Sequence, residues 1–120
     1  MKKCVVIIVA CCLASPALAL SYPVSGRYGQ SADPKPGPID CTGKRVVRFE
    51  GERRFDSRGG VPDYRMREMI TAGTMAYRIT EEFHTGQIQA WLTYTLRQVD
   101  PDEIELIMSP GGTLKLKRCA

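Results

Sequence analysis

One histidine, His84, and no Cys-x-x-Cys pair leave this chain of 120 residues without the ligands of a zinc site. No serine stands in a Gly-x-Ser-x-Gly elbow, and no glycine-rich loop opens a helix, so the common hydrolase and nucleotide-binding signatures are missing. His84 lies beside a tight turn on the polar phase of its segment, where it reads as a solvated residue. Glu81 and Glu82 are adjacent in an extended segment, so their side chains face opposite ways and cannot share one acid–base task. The expectation is a protein that is not an enzyme and takes no cofactor. Strong charge of one sign is missing too. The formal net charge is +4, the signs mostly alternate along the chain, and neither nucleic acid nor an anionic membrane is an expected partner.

Long hydrophobic runs are also scarce. The main one covers residues 4–14, preceded by Lys2 and Lys3 and broken by Ser15-Pro16. Ala17-Leu18-Ala19 then supplies small residues at the positions a signal peptidase reads. Residues 1–19 are therefore expected to be a secretory signal peptide, cut after Ala19. A membrane anchor needs roughly 20 apolar residues, more than this run provides. Ile8-Val9-Ala10-Cys11 loosely resembles a lipoprotein cleavage site, but its apolar stretch would be very short. Soluble export, to the periplasm or the medium, is the favoured reading.

Cys4, Cys11 and Cys12 leave with such a leader, so the mature chain keeps Cys41 and Cys119. Two thiols in an oxidising compartment are expected to pair. Closing a loop of that length would stabilise the fold by ~4–5 kcal/mol in the chain-entropy model.

Past the leader, residues 20–43 read as an arm and residues 44–120 as a β-meander, the two completing one domain. The arm holds a short candidate strand, Gly26-Arg27-Tyr28-Gly29-Gln30, and a proline-rich stretch, Asp33-Pro34-Lys35-Pro36-Gly37-Pro38, that must run extended. From Lys44 onward the dominant period is two. Residues 44–56 put Val47, Phe49, Gly51 and Phe55 on one face, with Gly51 marking a bend or bulge. Residues 64–71 fit a strand through Tyr64, Met66 and Ile70, although Met66, Met69 and Ile70 also fit a helical turn. Residues 75–84 alternate through Met75, Tyr77, Ile79 and Phe83. The next strands carry Ile88, Ala90, Leu92, Tyr94 and Leu96, then Ile104, Leu106 and Met108, then Leu114 and Leu116. Turns at Thr85-Gly86, Val99-Asp100-Pro101 and Pro110-Gly111-Gly112 set Ile79 opposite Leu92, Leu96 opposite Ile104, and Leu106 opposite Leu116. The expected fold is all-β: an antiparallel meander of six or seven strands forming a small barrel.

Polar groups on the apolar phases mark the candidate site. Arg53 follows the phase of Phe49 and Phe55, Glu68 lies between Met66 and Ile70, and Glu81 lies between Ile79 and Phe83. A charge taken into a core is costly unless paired. These residues are expected either to reach water at an edge, bulge or barrel mouth, or to line a ligand cavity with Tyr94. Trp91, on the opposite phase beside Thr93 and Thr95, is a candidate contact residue unless a loop such as the proline-rich stretch covers it.

Gly26-Arg27-Tyr28 on the first strand, the meander after it, and Arg118 on the last strand resemble the lipocalin-like arrangement. There a Gly-x-Trp opens the barrel and a late Arg packs on the ring; here Tyr replaces Trp. The resemblance implies that Tyr28 and Arg118 meet where the barrel closes. The layout is also similar to small uncharacterised periplasmic β-barrels, and to periplasmic inhibitors of secreted metalloproteases, whose inhibitory N-terminal segment has a loose counterpart in Leu20-Ser21-Tyr22-Pro23. The favoured expectation is an exported, non-enzymatic barrel that binds a small hydrophobic ligand; the alternative is a protein-interaction module, including protease inhibition through a mobile N-terminal arm. A hollow interior would favour the first, and a filled one with an ordered arm or an exposed Trp91 the second.

Overall fold

Alternating sequence of this kind buries one face of each strand, and a sheet curled on itself leaves the fewest open edges. In the computed structural model, which describes residues 20–120, the chain does this as a closed antiparallel barrel. Its strands are β1 (Gly26–Gln30), β2 (Val46–Glu50), β3 (Arg53–Asp56), β4 (Tyr64–Gly73), β5 (Ala76–Thr85), β6 (Ile88–Asp100), β7 (Glu103–Met108) and β8 (Gly112–Arg118). Each pairs with the next, and β1 pairs with β8 to close the ring. The expected leader, residues 1–19, and its expected cleavage sites lie outside the described residues.

The strand count is eight, not six or seven. The extra strand arises at Gly51, which holds φ at 63°, a conformation that glycine adopts without strain. Gly51 and Glu52 form a tight turn, so residues 44–56 are a hairpin and not one bent strand. Residues 64–71 are strand, as favoured over a helical turn.

The hairpins β5–β6, β6–β7 and β7–β8 keep the expected inward and outward faces but pair two residues away from the expected register. Ile79 faces Tyr94, Leu96 faces Leu106, and Leu106 faces Leu114. The β5–β6 turn is Gly86-Gln87, and the β7–β8 loop is Ser109-Pro110-Gly111. Alternation specifies parity alone; a slip of two leaves every side chain on its original side. Met75, expected on the inner face, instead occupies the β4–β5 turn with φ at 57°.

Tyr28, Val47, Phe49, Met66, Ile79, Leu96, Ile104, Leu106 and Leu116 fill the interior. The arm adds to it: Tyr22 and Val24 are buried, the Tyr22 amide donates to the Gly51 carbonyl at 3.0 Å, and its ring meets Phe49 edge-on. Cys41 and Cys119 are bonded. Their bridge lies against β1 at Gly29, where a Cβ would come within 2.5 Å of the Cys41 Sγ. The proline-rich stretch covers β8, not Trp91. Lys117 is buried beneath it and donates to the Lys35 carbonyl, and Ile39 forms a bridge with Cys119.

Candidate functional site

The four candidate residues, expected either to reach water at an edge, bulge or mouth or to line a cavity, separate into two pairs. Glu81 and Tyr94 point inward and meet; Arg53 and Glu68 do not join them. The Gly51-Glu52 turn explains Arg53. It sets Phe49 opposite Arg54, so the inward phase passes from odd numbers on β2 to even numbers on β3. Arg53 thus turns outward, within 3.5 Å of Asp63, and Phe55 turns out under the Arg48 guanidinium. Glu68 is displaced by the register shift between Met66 and Glu68, which also sends Ile70 to the surface.

Arg54 takes the interior position instead. Its Nε and Nη2 donate to Glu81 at 2.8 and 2.7 Å, and its guanidinium lies 4.0 Å from the centre of the Tyr64 ring. The hydroxyls of Tyr22 and Tyr94 each donate to Glu81 Oε2 at 2.7 Å. Arg54 and Glu81 are both essentially inaccessible to solvent. Burial opposes the Arg54 charge, but the hydrogen bonds and charge of Glu81 outweigh it and hold the guanidinium protonated. Burial, reinforced by the Glu81 charge, pushes the Tyr22 and Tyr94 hydroxyls above their ordinary range, so both remain donors. Asp56 extends the network, 3.6 Å from Arg54 and bidentate with Arg45. Burial raises the Asp56 carboxyl, but the Arg45 side chain and the Arg58 amide outweigh it and leave it below the usual carboxylate range. Both oxygens of Glu81 are engaged by Arg54 and the tyrosines, the kind of pairing a buried ion pair needs to persist.

This cluster lies among the buried residues of the barrel interior. Grooves also open on the outside of the barrel. One of about 300 Å³ is lined by Pro62, Asp63, Arg65, Arg67, Glu82, Phe83 and His84. Register places it, since Arg65 faces Glu82 and Glu82 faces Trp91 across β4, β5 and β6. Arg67 Nε donates to Glu82 at 2.6 Å, Gln89 donates to the other oxygen of the same carboxylate, and His84 stands 3.7 Å away. The Arg67 hydrogen bond holds the Glu82 carboxyl below its ordinary value. Trp91 beside them is 57% exposed. No group of His, Cys, Asp or Glu among the described residues could hold a metal ion.

Sequence reasoning found Glu81, Tyr94 and Trp91 and missed Arg54 and Tyr22. A signal for Arg54 was present in Gly51: a two-residue turn there, in place of a bend, moves Arg54 inside. Tyr22 carried no periodic signal, since it precedes the first strand. No family model, curated protein or solved structure matches the chain.

Proposed function

We propose that this chain is an exported, non-enzymatic β-barrel that works as a protein-interaction module through the outer face of β4, β5 and β6. The observation that carries this reading is the occupied interior, where Arg54, Glu81, Tyr22 and Tyr94 bond to one another. A small hydrophobic ligand would have to displace a satisfied buried ion pair, at a cost of several kcal/mol. Export is supported by the signal-like leader and by the Cys41–Cys119 disulfide, a bond that oxidising compartments sustain.

The inhibitor-like variant of this reading, a mobile arm entering a protease, is disfavoured. Tyr22 is held by its hydroxyl, its amide and its ring. The outer groove is lined by the donors Arg65, Arg67 and His84, by the carboxylates of Asp63 and Glu82, and by Pro62 and Phe83. Such a surface suits a protein segment presenting an acidic side chain beside an apolar one. Site-specific photo-cross-linking in the exporting cell tests this. A cross-linker at His84 should give a discrete protein adduct that Arg67→Glu abolishes, whereas one at Lys115 on β8 should give none. Equal labelling from both positions would contradict the reading.

A further inference from the structure

Strand β6 is much longer than its neighbour β7. β5 pairs with it continuously from Thr85–Ile88 to Ala76–Arg97, while β7 joins only from Thr95–Ile107 onward. Residues 88–93 therefore have β5 on one side and, among the described residues, no backbone partner on the other. An open edge of this kind is a template for another strand unless charge, proline or a bulge blunts it.

The barrel has a second open edge, and it is defended. β4 meets β3 through the Arg65 and Tyr64 pairs and through the Met66 amide, which donates to the Glu52 carbonyl at 2.8 Å, and among the described residues the side beyond Met66 is open. That stretch carries Arg67 and Glu68 and is interrupted by register shifts at Met66/Glu68 and Thr71/Gly73. The β6 edge has none of these devices. Between His84 and Arg97 no side chain is charged, although 25% of the chain is. Residues 88–96 contain neither proline nor glycine, and the β5–β6 ladder has no register shift. Ile88 and Trp91 are 66% and 57% exposed on it.

We infer that this edge pairs antiparallel with the same edge of a second copy of the chain, about a twofold axis near Trp91. Three features select an identical partner. A twofold brings each residue opposite its own kind or a near neighbour, so any charge close to the axis would face a like charge; here there is none. An axis at Trp91 sets Gln89 opposite Thr93 on the outer face and Ala90 opposite Leu92 on the inner one, polar against polar and apolar against apolar. The incoming strand runs antiparallel to β6, the direction of β7, and so continues the track on which β7 stops. The inference concerns the strand edge and not the outer groove, and it stands whether or not the groove binds a partner.

Sedimentation velocity and native mass spectrometry of the disulfide-bonded mature protein test it. The wild type should sediment as a dimer. Gln89→Lys with Thr93→Lys, both at exposed outward positions, should halve the mass while leaving the melting curve of the barrel intact. Gln89→Glu with Thr93→Lys sets opposite charges across the proposed axis and should restore the dimer. Thr113→Lys on β8 should have no effect. A wild type that remains monomeric at its highest soluble concentration overturns the inference. A dimer that survives the double-lysine change, or is lost equally in the Glu/Lys pair, overturns it as well. The oligomeric state of the wild type is read independently of cross-linking from the groove.

Discussion

The guanidinium of Arg118 lies 4.9 Å from the centre of the Tyr28 ring and donates to the Tyr28 hydroxyl at 2.7 Å. The two residues are also direct partners in the β1–β8 ladder, so the first and last strands meet through side chains as well as backbone. Burial raises the Tyr28 hydroxyl above its ordinary range, against the opposing Arg118 charge, and keeps it in its neutral form. Arg118 also stands 3.4 Å from Asp102, which ties the closing seam to the β6–β7 turn.

A double-mutant cycle of Tyr28→Leu and Arg118→Met should give a coupling energy of roughly 0.5–2 kcal/mol, because the contact combines a cation–π arrangement with a hydrogen bond. Urea denaturation of the four proteins, with the disulfide intact, measures it. Zero coupling would mean that backbone pairing alone closes the ring.

Removing one partner of the interior ion pair should be far more damaging than removing a surface pair. Arg54→Met is expected to cost about 3–5 kcal/mol, since it leaves a buried carboxylate with two tyrosine donors and no counter-charge. The double change Arg54→Met with Glu81→Met should fall short of the sum of the single effects by roughly 2 kcal/mol or more. Strict additivity of the denaturation free energies would show that the two charges do not depend on each other.

Asp56 gives the fold an acid-sensitive contribution. Its carboxyl is depressed in the folded state, so the folded protein binds its proton less readily than the unfolded chain does. The contribution is complete above the unfolded value of about 4 and is lost as pH falls through the lower folded value. Asp56→Asn should therefore lower the melting temperature at neutral pH, with the gap to wild type narrowing below about pH 4. A gap independent of pH would contradict this account of Asp56.

Gly29→Ala tests the seating of the disulfide. The added Cβ would fall 2.5 Å from the Cys41 Sγ and 3.3 Å from Ile39 Cδ1, so the bridge or β1 must shift. A loss of roughly 1–3 kcal/mol is expected, as for other overpacked sites. In the reduced protein, where the Cys41 sulfur can move, the loss should shrink. Equal losses in both redox states would place the clash elsewhere.

Face was legible in the sequence; register was not. Period-two alternation assigned Ile79, Leu96, Ile104, Leu106 and Leu116 to the interior, and all are buried. It could not choose between pairings that differ by two residues, because turn geometry makes that choice and the Gly86-Gln87 and Ser109-Pro110-Gly111 connections do not disturb the alternation. Where the parity itself changes, at Gly51-Glu52 and between Met66 and Glu68, single-strand reasoning misplaces the residues beyond the change. Arg53 and Glu68 fall on the apolar phase by alternation, with an edge, a bulge or a barrel mouth as the alternative to lining a cavity, and the Gly51-Glu52 turn and the β4 register shift carry both outward. Glu81 keeps its inward phase because no register shift interrupts the β5–β6 ladder. Its partners Arg54 and Tyr22 come from a reversed phase and from the arm, and only the closed ring brings them together.

A barrel interior occupied by its own side chains leaves a proposed partner only the outer surface to bind. Native mass spectrometry of the protein purified from the compartment it occupies should therefore show masses of the disulfide-bonded mature chain, alone or in complexes with protein, and no small-molecule adduct. A stoichiometric apolar ligand that stays with the folded protein and is released when the Arg54–Glu81 cluster is unfolded would contradict it.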